Sequence, residues 1–371
     1  MLSSYAPSAP AVSTHFVGES TRAVCFLKDD DASSSASPPL IAVGGDNALA
    51  LYLPEVASSD EAALRQELAS GSSIAPTKNV QLRAVAETPH DGDVTALRFA
   101  GGHANLLLTA SSTGSIHALR VGGNDQFLTP VPTPHWSNLF GERASATALD
   151  VWGDRATLVA ASSSGAVAWL RFDDMATVPQ VARNGDSSRL PISGVKMLAR
   201  ESVAATLRVW DINANPDCPV AAASDPHAPC MLTALETHPT RPELLVTGSD
   251  DGRVALWDLR RLDAPFRVET KHQRAVRTLA IHRTSPRLLF SGGDDATVLA
   301  WDFHHNRSAS ETVEYEKHAH HKALAVQPLA SAFLPWRAMD FHAASDSLVV
   351  GSDAQSLLLV RYASRAHHAI A

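Results

Sequence analysis

Residues 244–258 read LLVTGSDDGRVALWD, and residues 288–302 read LLFSGGDDATVLAWD. Both segments contain an apolar run, a turn rich in Gly and Asp, and a second apolar run that ends in Trp-Asp. The two tryptophans, Trp257 and Trp301, lie 44 residues apart (301 − 257). Two apolar runs joined by such a turn predict a β-hairpin. The chain therefore contains a repeated hairpin unit with a period of roughly 40–45 residues, which is the period of propeller blades.

Weaker copies of the unit occur along the rest of the chain, and their number predicts an all-β, seven-bladed WD40 β-propeller. The residues aligned with the tryptophan are Tyr52, Leu119, Leu170, Trp210, Trp257, Trp301 and Leu359. Those aligned with the turn aspartate are Asp46, Thr113, Ser164, Ala204, Asp251, Asp295 and Asp353. Blade seven lacks a fourth strand, and we predict that Ser13 to Val17 supplies it, because pairing would cover an open sheet edge.

The predicted organisation is one propeller domain over residues 13–362. Residues 1–12, rich in Ser, Ala and Pro, are predicted to be disordered, and residues 363–371 form a C-terminal tail. Three insertions interrupt the repeats, at 29–39, 54–77 and 304–322. Residues 58–70 within the second insertion could form a short partner-binding helix, although a surface loop fits repeat proteins better.

Two blades carry the residues of a buried polar network. His227, Asp251 and Trp257 recur as His272, Asp295 and Trp301, with the hydroxyl of Ser249 or Thr247 in the first blade and of Ser291 in the second. In WD-repeat proteins, which this stretch resembles, such residues form a hydrogen-bonded structural network. A buried carboxylate needs donors, and a buried indole N–H needs an acceptor. The alternative is a catalytic His–Asp pair, which we disfavour because no suitable nucleophile is evident from the sequence.

Composition sets limits on the class of function. The 371 residues carry a net charge of −8, which argues against a nucleic-acid surface and against binding to an anionic membrane. No apolar stretch is long enough to span a bilayer, and Met1 to Ser13 does not resemble a secretory signal. Cys25, Cys218 and Cys230 are too few for a disulfide framework and are expected to be reduced thiols in an intracellular protein.

No cofactor or metal site is predicted. Five histidines cluster near the third insertion: His304, His305, His318, His320 and His321. We interpret this segment as a solvated loop, because structural zinc sites need four well-placed ligands and no cysteine lies near it. The sequence also lacks a phosphate-binding Gly loop and a nucleophile elbow. It is therefore predicted not to be an enzyme, which leaves a binding function.

Several short motifs resemble one family more closely than the generic repeat does. They are HDGDV (90–94), ASSTG (110–114), DSS (186–188), LVVGSDA (348–354) and VRY (360–362). Together with the order of degenerate and complete blades, they resemble the WD-repeat nucleoporin forty-three family, which belongs to the Y-shaped outer-ring complex of the nuclear pore. The similarity extends over most of the chain, but the region up to Thr77 matches poorly.

The resemblance implies a non-enzymatic scaffold subunit at the nuclear envelope, in a complex that serves protein and mRNA transport. The subunit would be monomeric within a hetero-oligomer, docked on helical-solenoid scaffold nucleoporins, without direct contact to nucleic acid and without membrane insertion. Two alternatives stay open. Trp257 to Arg260 contains the Trp-Asp-x-Arg pattern of cullin-4 substrate receptors, in which Arg260 would contact the ligase. A propeller that reads histones or peptides is the third possibility.

Overall fold

The architecture comes from a computed structural model, which is all-β except for one short 3₁₀ helix among the residues it describes. It describes residues 10–27, 39–56, 80–100, 105–122, 128–141, 143–152, 155–183, 191–198, 202–205, 207–211, 220–223, 230–303 and 324–367. Their strands form seven four-stranded antiparallel sheets, each taken here as one blade. No helix in the described ranges is long and apolar enough to cross a membrane.

The strands of the first four blades follow one another in chain order, from the innermost to the outermost. Blade one contains β2 (Ala23–Phe26), β3 (Ile41–Gly44), β4 (Ala48–Val56) and β5 (Val80–Pro89). Blade two contains β6 (Val94–Ala100), β7 (Leu106–Ser111), β8 (Ile116–Val121) and β9 (Leu128–Val131). Blade three contains β10 (Ala146–Trp152), β11 (Thr157–Ser162), β12 (Ala166–Arg171) and β13 (Gln180–Arg183). Blade four contains β14 (Val195–Leu198), β15 (Ser202–Ala205), β16 (Arg208–Asp211) and β17 (Ala221–Ala222).

The last three blades include the two complete repeats and a sheet built from both parts of the chain. Blade five contains β18 (Leu232–Thr237), β19 (Leu244–Ser249), β20 (Arg253–Asp258) and β21 (Arg267–Thr270). Blade six contains β22 (Val276–Ile281), β23 (Leu288–Gly293), β24 (Thr297–Asp302) and β25 (Ala325–Ser331). Blade seven contains β26 (Trp336–His342), β27 (Ser347–Ser352), β28 (Ser356–Arg361) and, outermost, β1 (Ala11–Phe16). Strand β1 pairs with β28 over six residues, from Ala11 opposite Arg361 to Phe16 opposite Ser356.

The hydrophobic core is divided among the seams between blades. Each of seven clusters of buried apolar residues combines side chains from two neighbouring blades, and one of them joins blade seven to blade one. The middle strands are buried throughout, as in β7 and β27, because they are covered on both faces. The innermost strands of successive blades also pack against each other, and β26 packs against β2.

Hydrogen bonds at bulges in the innermost strands also connect the blades. Thr95, Thr147 and Thr233 each occupy the position where the register shifts. Each hydroxyl donates to a main-chain carbonyl of the next blade, at Ala146, Ile192 and Val276 respectively. A bulge leaves its extra residue outside the ladder, which frees the threonine to make this contact.

The structure corrects several boundaries predicted from the sequence. Ala204, which was aligned with the turn aspartate, lies within strand β15, and a shortened hairpin follows that strand. In blade seven Val360, opposite Leu348, occupies the tryptophan position, just as Trp257 lies opposite Leu245. The aligned residues Leu359 and Asp353 were therefore one position out of register. The middle strands of blade seven carry apolar side chains on both faces. No alternation of polar and apolar residues therefore distinguishes one register from the next in the sequence.

The two chain termini and the second insertion also differ from the prediction. Strand β1 begins at Ala11, inside the segment predicted to be disordered, because its pairing with β28 gives those residues a partner. Strand β4 continues through Pro54 to Val56, where it pairs with β5. The predicted loops 29–39 and 304–322 and residues 58–70 lie almost wholly outside the described residues.

The predicted tail instead begins with a 3₁₀ helix, Ala363–His367, that packs onto the propeller. Ala363 and Ala366 are fully buried in the core between blades six and seven. The carboxylate of Asp346 accepts hydrogen bonds from the Ser364 hydroxyl (2.6 Å) and main-chain N–H (2.9 Å). The small size of the alanines lets the helix lie close to the sheet, a feature that no repeat alignment predicts.

A chain ending at Tyr362 is expected to be less stable than the full chain by about 2 kcal/mol, because it loses this buried apolar area and the hydrogen bonds to Asp346. Chemical denaturation of both forms measures the difference. A chain ending at His367 is the control and should match the full chain. Equal stability of all three forms would show that the helix contributes nothing.

Candidate functional site

In blade six the side chains of His272, Ser291, Asp295 and Trp301 form one continuous chain of hydrogen bonds. The Nδ1–H of His272 donates to Asp295 Oδ2 (2.9 Å), and its Nε2 accepts from the Ser291 hydroxyl (2.6 Å). Trp301 Nε1–H donates to the same hydroxyl oxygen (2.7 Å). Donors and acceptors thus alternate from Trp301 to Asp295, and this pattern fixes the neutral tautomer of the histidine with its proton on Nδ1.

Asp295 has further donors from its own turn and from the residue that follows His272. The main-chain N–H groups of Gln273 and Thr297 and the Thr297 hydroxyl all donate to its carboxylate, at 3.0, 3.1 and 2.8 Å. Burial favours a raised pKa for Asp295, but these hydrogen bonds and the neighbouring His272 lower it overall. For His272, burial lowers the pKa more than Asp295 raises it. The two groups therefore form an anionic carboxylate beside a neutral imidazole.

The connectivity Ser291–His272–Asp295 matches that of a hydrolase triad, in which Ser291 would be the nucleophile. The Ser291 side chain, however, is fully buried between strands and its oxygen also accepts the Trp301 indole bond. A substrate carbonyl has no route to this oxygen. The arrangement orders the blade and offers no accessible reaction centre.

Blade five contains only part of the predicted network among the described residues. Trp257 Nε1–H donates to the Thr247 hydroxyl (3.0 Å), and the Ser249 hydroxyl donates to Asp251 (2.5 Å). Two hydroxyls therefore divide the role that Ser291 fills alone, and they do not link the indole to the carboxylate. His227 lies outside the described residues. Strand β18 begins at Leu232, opposite Ser249, so His227 lies five residues before the strand, whereas His272 lies four before Val276.

Blade two contains a variant of the network that lacks the carboxylate. His90 Nε2 contacts the Thr109 hydroxyl (2.8 Å), and its Nδ1 contacts the Gly92 carbonyl (2.8 Å). His117 packs edge-on against His90, with ring centroids 4.9 Å apart, and its buried Nε2 has no hydrogen-bond partner in the described structure. Burial lowers the pKa of both histidines, and for His117 the neighbouring His90 lowers it further.

These lowered histidine pKa values predict a loss of stability in mild acid. Because the folded-state pKa lies below the unfolded value, the unfolded chain binds protons first as the pH falls below about 6.5. Stability is therefore fully present above that pH and decreases toward the folded-state pKa. We expect the free energy of unfolding of His117→Gln to decrease less between pH 7 and pH 5 than that of the unchanged protein. Denaturation at several pH values measures how steeply the stability of each protein falls with pH. Parallel slopes would contradict a lowered folded-state pKa for His117.

The channel at the centre of the propeller, with a volume of about 1620 Å³, contains charged residues that the sequence did not reveal. Arg98, Asp150, Lys196, Glu236 and Asp340 occupy equivalent positions on the innermost strands of blades two, three, four, five and seven. Only the strand registers show that they lie at one level. From blade two to blade five their charges alternate in sign.

Four of these channel residues form two ion pairs. Lys196 Nζ lies 2.9 Å from Glu236 Oε2, and Arg98 Nε lies 3.6 Å from Asp150 Oδ1. Asp340 accepts the Phe26 main-chain N–H (2.8 Å), which connects blade seven to blade one. Burial raises the pKa of Asp340 although Arg98 opposes the shift. The channel charges therefore connect neighbouring blades and do not form an unpaired binding group.

Other candidate sites are limited. Cys230, Asp250 and Asp251 place three possible metal-ligand atoms within 4.8 Å of one another. Burial raises the pKa of the Cys230 thiol, and Asp251 adds to the shift, so the thiolate needed for metal binding is disfavoured. Cys25 is a free, buried thiol and Cys230 a free, partly buried one, whereas Cys218 lies outside the described residues, as do the five clustered histidines.

Arg260, the residue of the cullin-4 alternative, turns back on its own strand. Its Nε and Nη2 donate to the Asp258 carboxylate at 2.9 and 2.6 Å. The Arg260 side chain is largely exposed, while that of Asp258 is mostly covered. The hydrogen bonds from Arg260 lower the pKa of Asp258, which is the last residue of β20. The contact fits a residue that terminates a strand.

Comparison with known proteins supports the propeller and the family resemblance. The family described as WD domain, G-beta repeat matches residues 203–258 and 265–302, which contain both complete repeats. Nucleoporin Nup43 of mouse (Mus musculus) is 24% identical over 196 residues, which is 50% of this chain and 50% of the mouse protein. Nucleoporin Nup43 of human (Homo sapiens) is 25% identical over 193 residues, again half of each chain. The chain thus spans about half the length of the curated relatives it matches.

These findings confirm the similarity to WD-repeat, Nup43-like proteins that the short motifs indicated, and the fold is an all-β WD40 propeller. The matched similarity covers half of the chain, which is less than the motifs had indicated. The matched blades are those with complete Trp-Asp repeats. The degenerate blades were predicted from the spacing of their hairpins, and the structure contains a four-stranded sheet for each of them.

Proposed function

We propose that the chain is a non-enzymatic structural subunit of the nuclear pore, within the Y-shaped outer-ring subcomplex, where it acts as a platform for protein–protein interactions. The similarity to the two nucleoporins carries this proposal. The buried triad-like network supports it, because its hydroxyl is inaccessible and its hydrogen bonds are used within the blade. A rigid disc with exposed turns suits a scaffold that presents surfaces to partners.

The proposed partners are helical-solenoid scaffold nucleoporins, with the chain present as one copy in a hetero-oligomer at the nuclear envelope. Its role in transport of protein and mRNA would be indirect, through the integrity of the pore. Nucleic acid and membrane are not proposed as ligands, in keeping with the net charge of −8.

Purification of the tagged full-length chain from gently lysed native cells, followed by mass spectrometry, tests the proposal. We expect outer-ring scaffold subunits in near-stoichiometric amounts. Their absence, together with recovery of a cullin-4 adaptor, would support the ligase alternative instead.

The substitution Arg260→Ala separates these two functions. A pore subunit should recover its scaffold partners at the unchanged level, because Arg260 contacts Asp258 in its own blade. A ligase receptor should lose its adaptor. The melting temperature of the variant serves as the control, since an exposed ion pair of this kind contributes little to stability.

A further inference from the structure

The loop that enters blade seven exposes two adjacent large apolar side chains. Phe333 is completely exposed and Leu334 is 45% exposed. The loop begins at Ala332, four residues before the start of β26. His272 lies four residues before the start of β22 in blade six, so Ala332 takes the place of the network histidine. Blade seven therefore has no histidine at this position, and its two exposed apolar side chains follow directly after it.

Hydrogen bonds to blade six and to the turn of blade seven hold this loop in place. Phe333 and Leu334 therefore project from an ordered segment. The Ala332 N–H and the Trp336 indole both donate to the Ala296 carbonyl of blade six, at 2.8 and 3.1 Å. The Pro335 carbonyl accepts the N–H of Asp353 in the turn of blade seven (3.1 Å). An apolar group on an ordered loop binds a partner with less loss of conformational entropy than one on a flexible loop.

A third exposed apolar residue lies at the same end of the blade-seven strands. Phe16, 76% exposed, ends β1 opposite Ser356, while Trp336 begins β26 opposite Ser352. Strands β1 and β26 are the outer and inner strands of the four-stranded sheet, so this edge spans about 14 Å. A helix crosses that distance in about nine residues. We call Phe16, Phe333 and Leu334 the blade-seven apolar edge.

Arg337, three residues after Leu334, belongs to a group of ion pairs on blades six and seven that also borders the central channel. Asp294 bridges Arg277 (2.5 Å) and Arg337 (3.0 Å), and Arg337 also contacts Asp353 (2.7 Å). In blade one, Arg22 contacts Asp46 and Asp93 in the same way. These contacts contain four carboxylates and three guanidinium groups, in a chain of net charge −8. The surroundings therefore favour a partner that carries positive charge.

We propose that the blade-seven apolar edge docks an amphipathic helix of a partner protein, with large apolar side chains on one face and flanking Lys or Arg residues. A helix fits better than an extended peptide, because this edge presents turns and side chains, whereas strand addition needs an unpaired backbone ladder. The inference rests on the proposed function, in which the partner is a helical scaffold subunit of the pore.

The test compares recovery of the scaffold subunits by the unchanged full-length chain with recovery by Phe333→Ser/Leu334→Ser and by Phe16→Ser. We expect the double variant to recover at least tenfold less and the single variant to be intermediate. Val178→Ser is the matched control, because Val178 is 67% exposed in blade three between β12 and β13. It should recover the subunits at the unchanged level, and all variants should keep the unchanged melting temperature.

The outcomes separate the two proposals. If the unchanged chain recovers no scaffold subunit, the proposed function fails and the docking inference fails with it. If the unchanged chain and the double variant recover equal amounts, only the docking inference is overturned. Light scattering of the purified chain tests whether a second copy of the chain occupies the blade-seven apolar edge. A dimer that the double variant dissociates would also overturn the proposal.

Discussion

Deletion of residues 1–20 is expected to lower the thermal midpoint of the protein by about 10 °C. The deletion removes β1, whose six residues pair with β28. At roughly 1 kcal/mol for each hydrogen bond, the loss is about 5 kcal/mol, and each kcal/mol shifts the midpoint of a large domain by about 2 °C. The effect is large because β28 becomes a sheet edge and its backbone groups lose their partners.

The same deletion removes the covalent connection between the last and first blades. The segment after β1 contacts both, since the Val17 N–H donates to the Gln355 carbonyl and the Tyr52 hydroxyl donates to the Val17 carbonyl. Without the segment, blades seven and one touch only through non-covalent contacts such as those in their shared apolar cluster. We therefore expect the truncated chain also to unfold over a broader temperature range, because cooperativity between these blades is reduced.

Differential scanning calorimetry measures both effects. The matched control lacks residues 1–9 only and keeps β1, so it should melt with the unchanged protein. A midpoint for the longer deletion within 2 °C of the control would refute a closing role for β1. A large decrease in the control would show instead that residues before the strand contribute to stability.

The complete repeats made much of the fold predictable from the sequence. The Trp-Asp endings at Trp257 and Trp301 and the intervening turns predicted hairpins that the structure contains as β19–β20 and β23–β24. Short-range signals of this kind are reliable because a hairpin is determined by neighbouring residues. Blade four was misassigned because Ala204 was aligned with the turn aspartate by repeat position alone. Ser202–Ala205 contains no Gly or Asp, and it forms a strand between two others.

The candidate sites depended on contacts between distant residues and were less predictable. His272, Asp295 and Trp301 recur at fixed offsets within one repeat, so their network could be predicted. The channel charges lie on five different blades, and their common level depends on five strand registers. The blade-seven apolar edge brings Phe16 near a loop more than 300 residues away in sequence (333 − 16 = 317). No local pattern contains that information.

The substitution Asp295→Ala is expected to destabilise the protein by about 3–5 kcal/mol. It leaves His272, the Thr297 hydroxyl and two main-chain N–H groups without their acceptor. The Asp295 side chain is only 8% exposed and that of His272 fully buried, so water cannot readily replace the carboxylate. Buried donors that lose their acceptor retain the full cost of desolvation.

Asp251→Ala in blade five is the matched comparison and should cost about 1 kcal/mol. Asp251 occupies the equivalent turn position, but it accepts from the Ser249 hydroxyl and the Arg253 N–H and is 33% exposed. The Ser249 hydroxyl still has the Arg253 carbonyl as an acceptor (3.2 Å), and the Arg253 side chain is 36% exposed to water, so the loss is small. Urea denaturation of both variants measures the difference. Similar losses would mean that the turn aspartates act through turn geometry common to both blades, and that the buried relay from Trp301 to Asp295 adds no stability of its own.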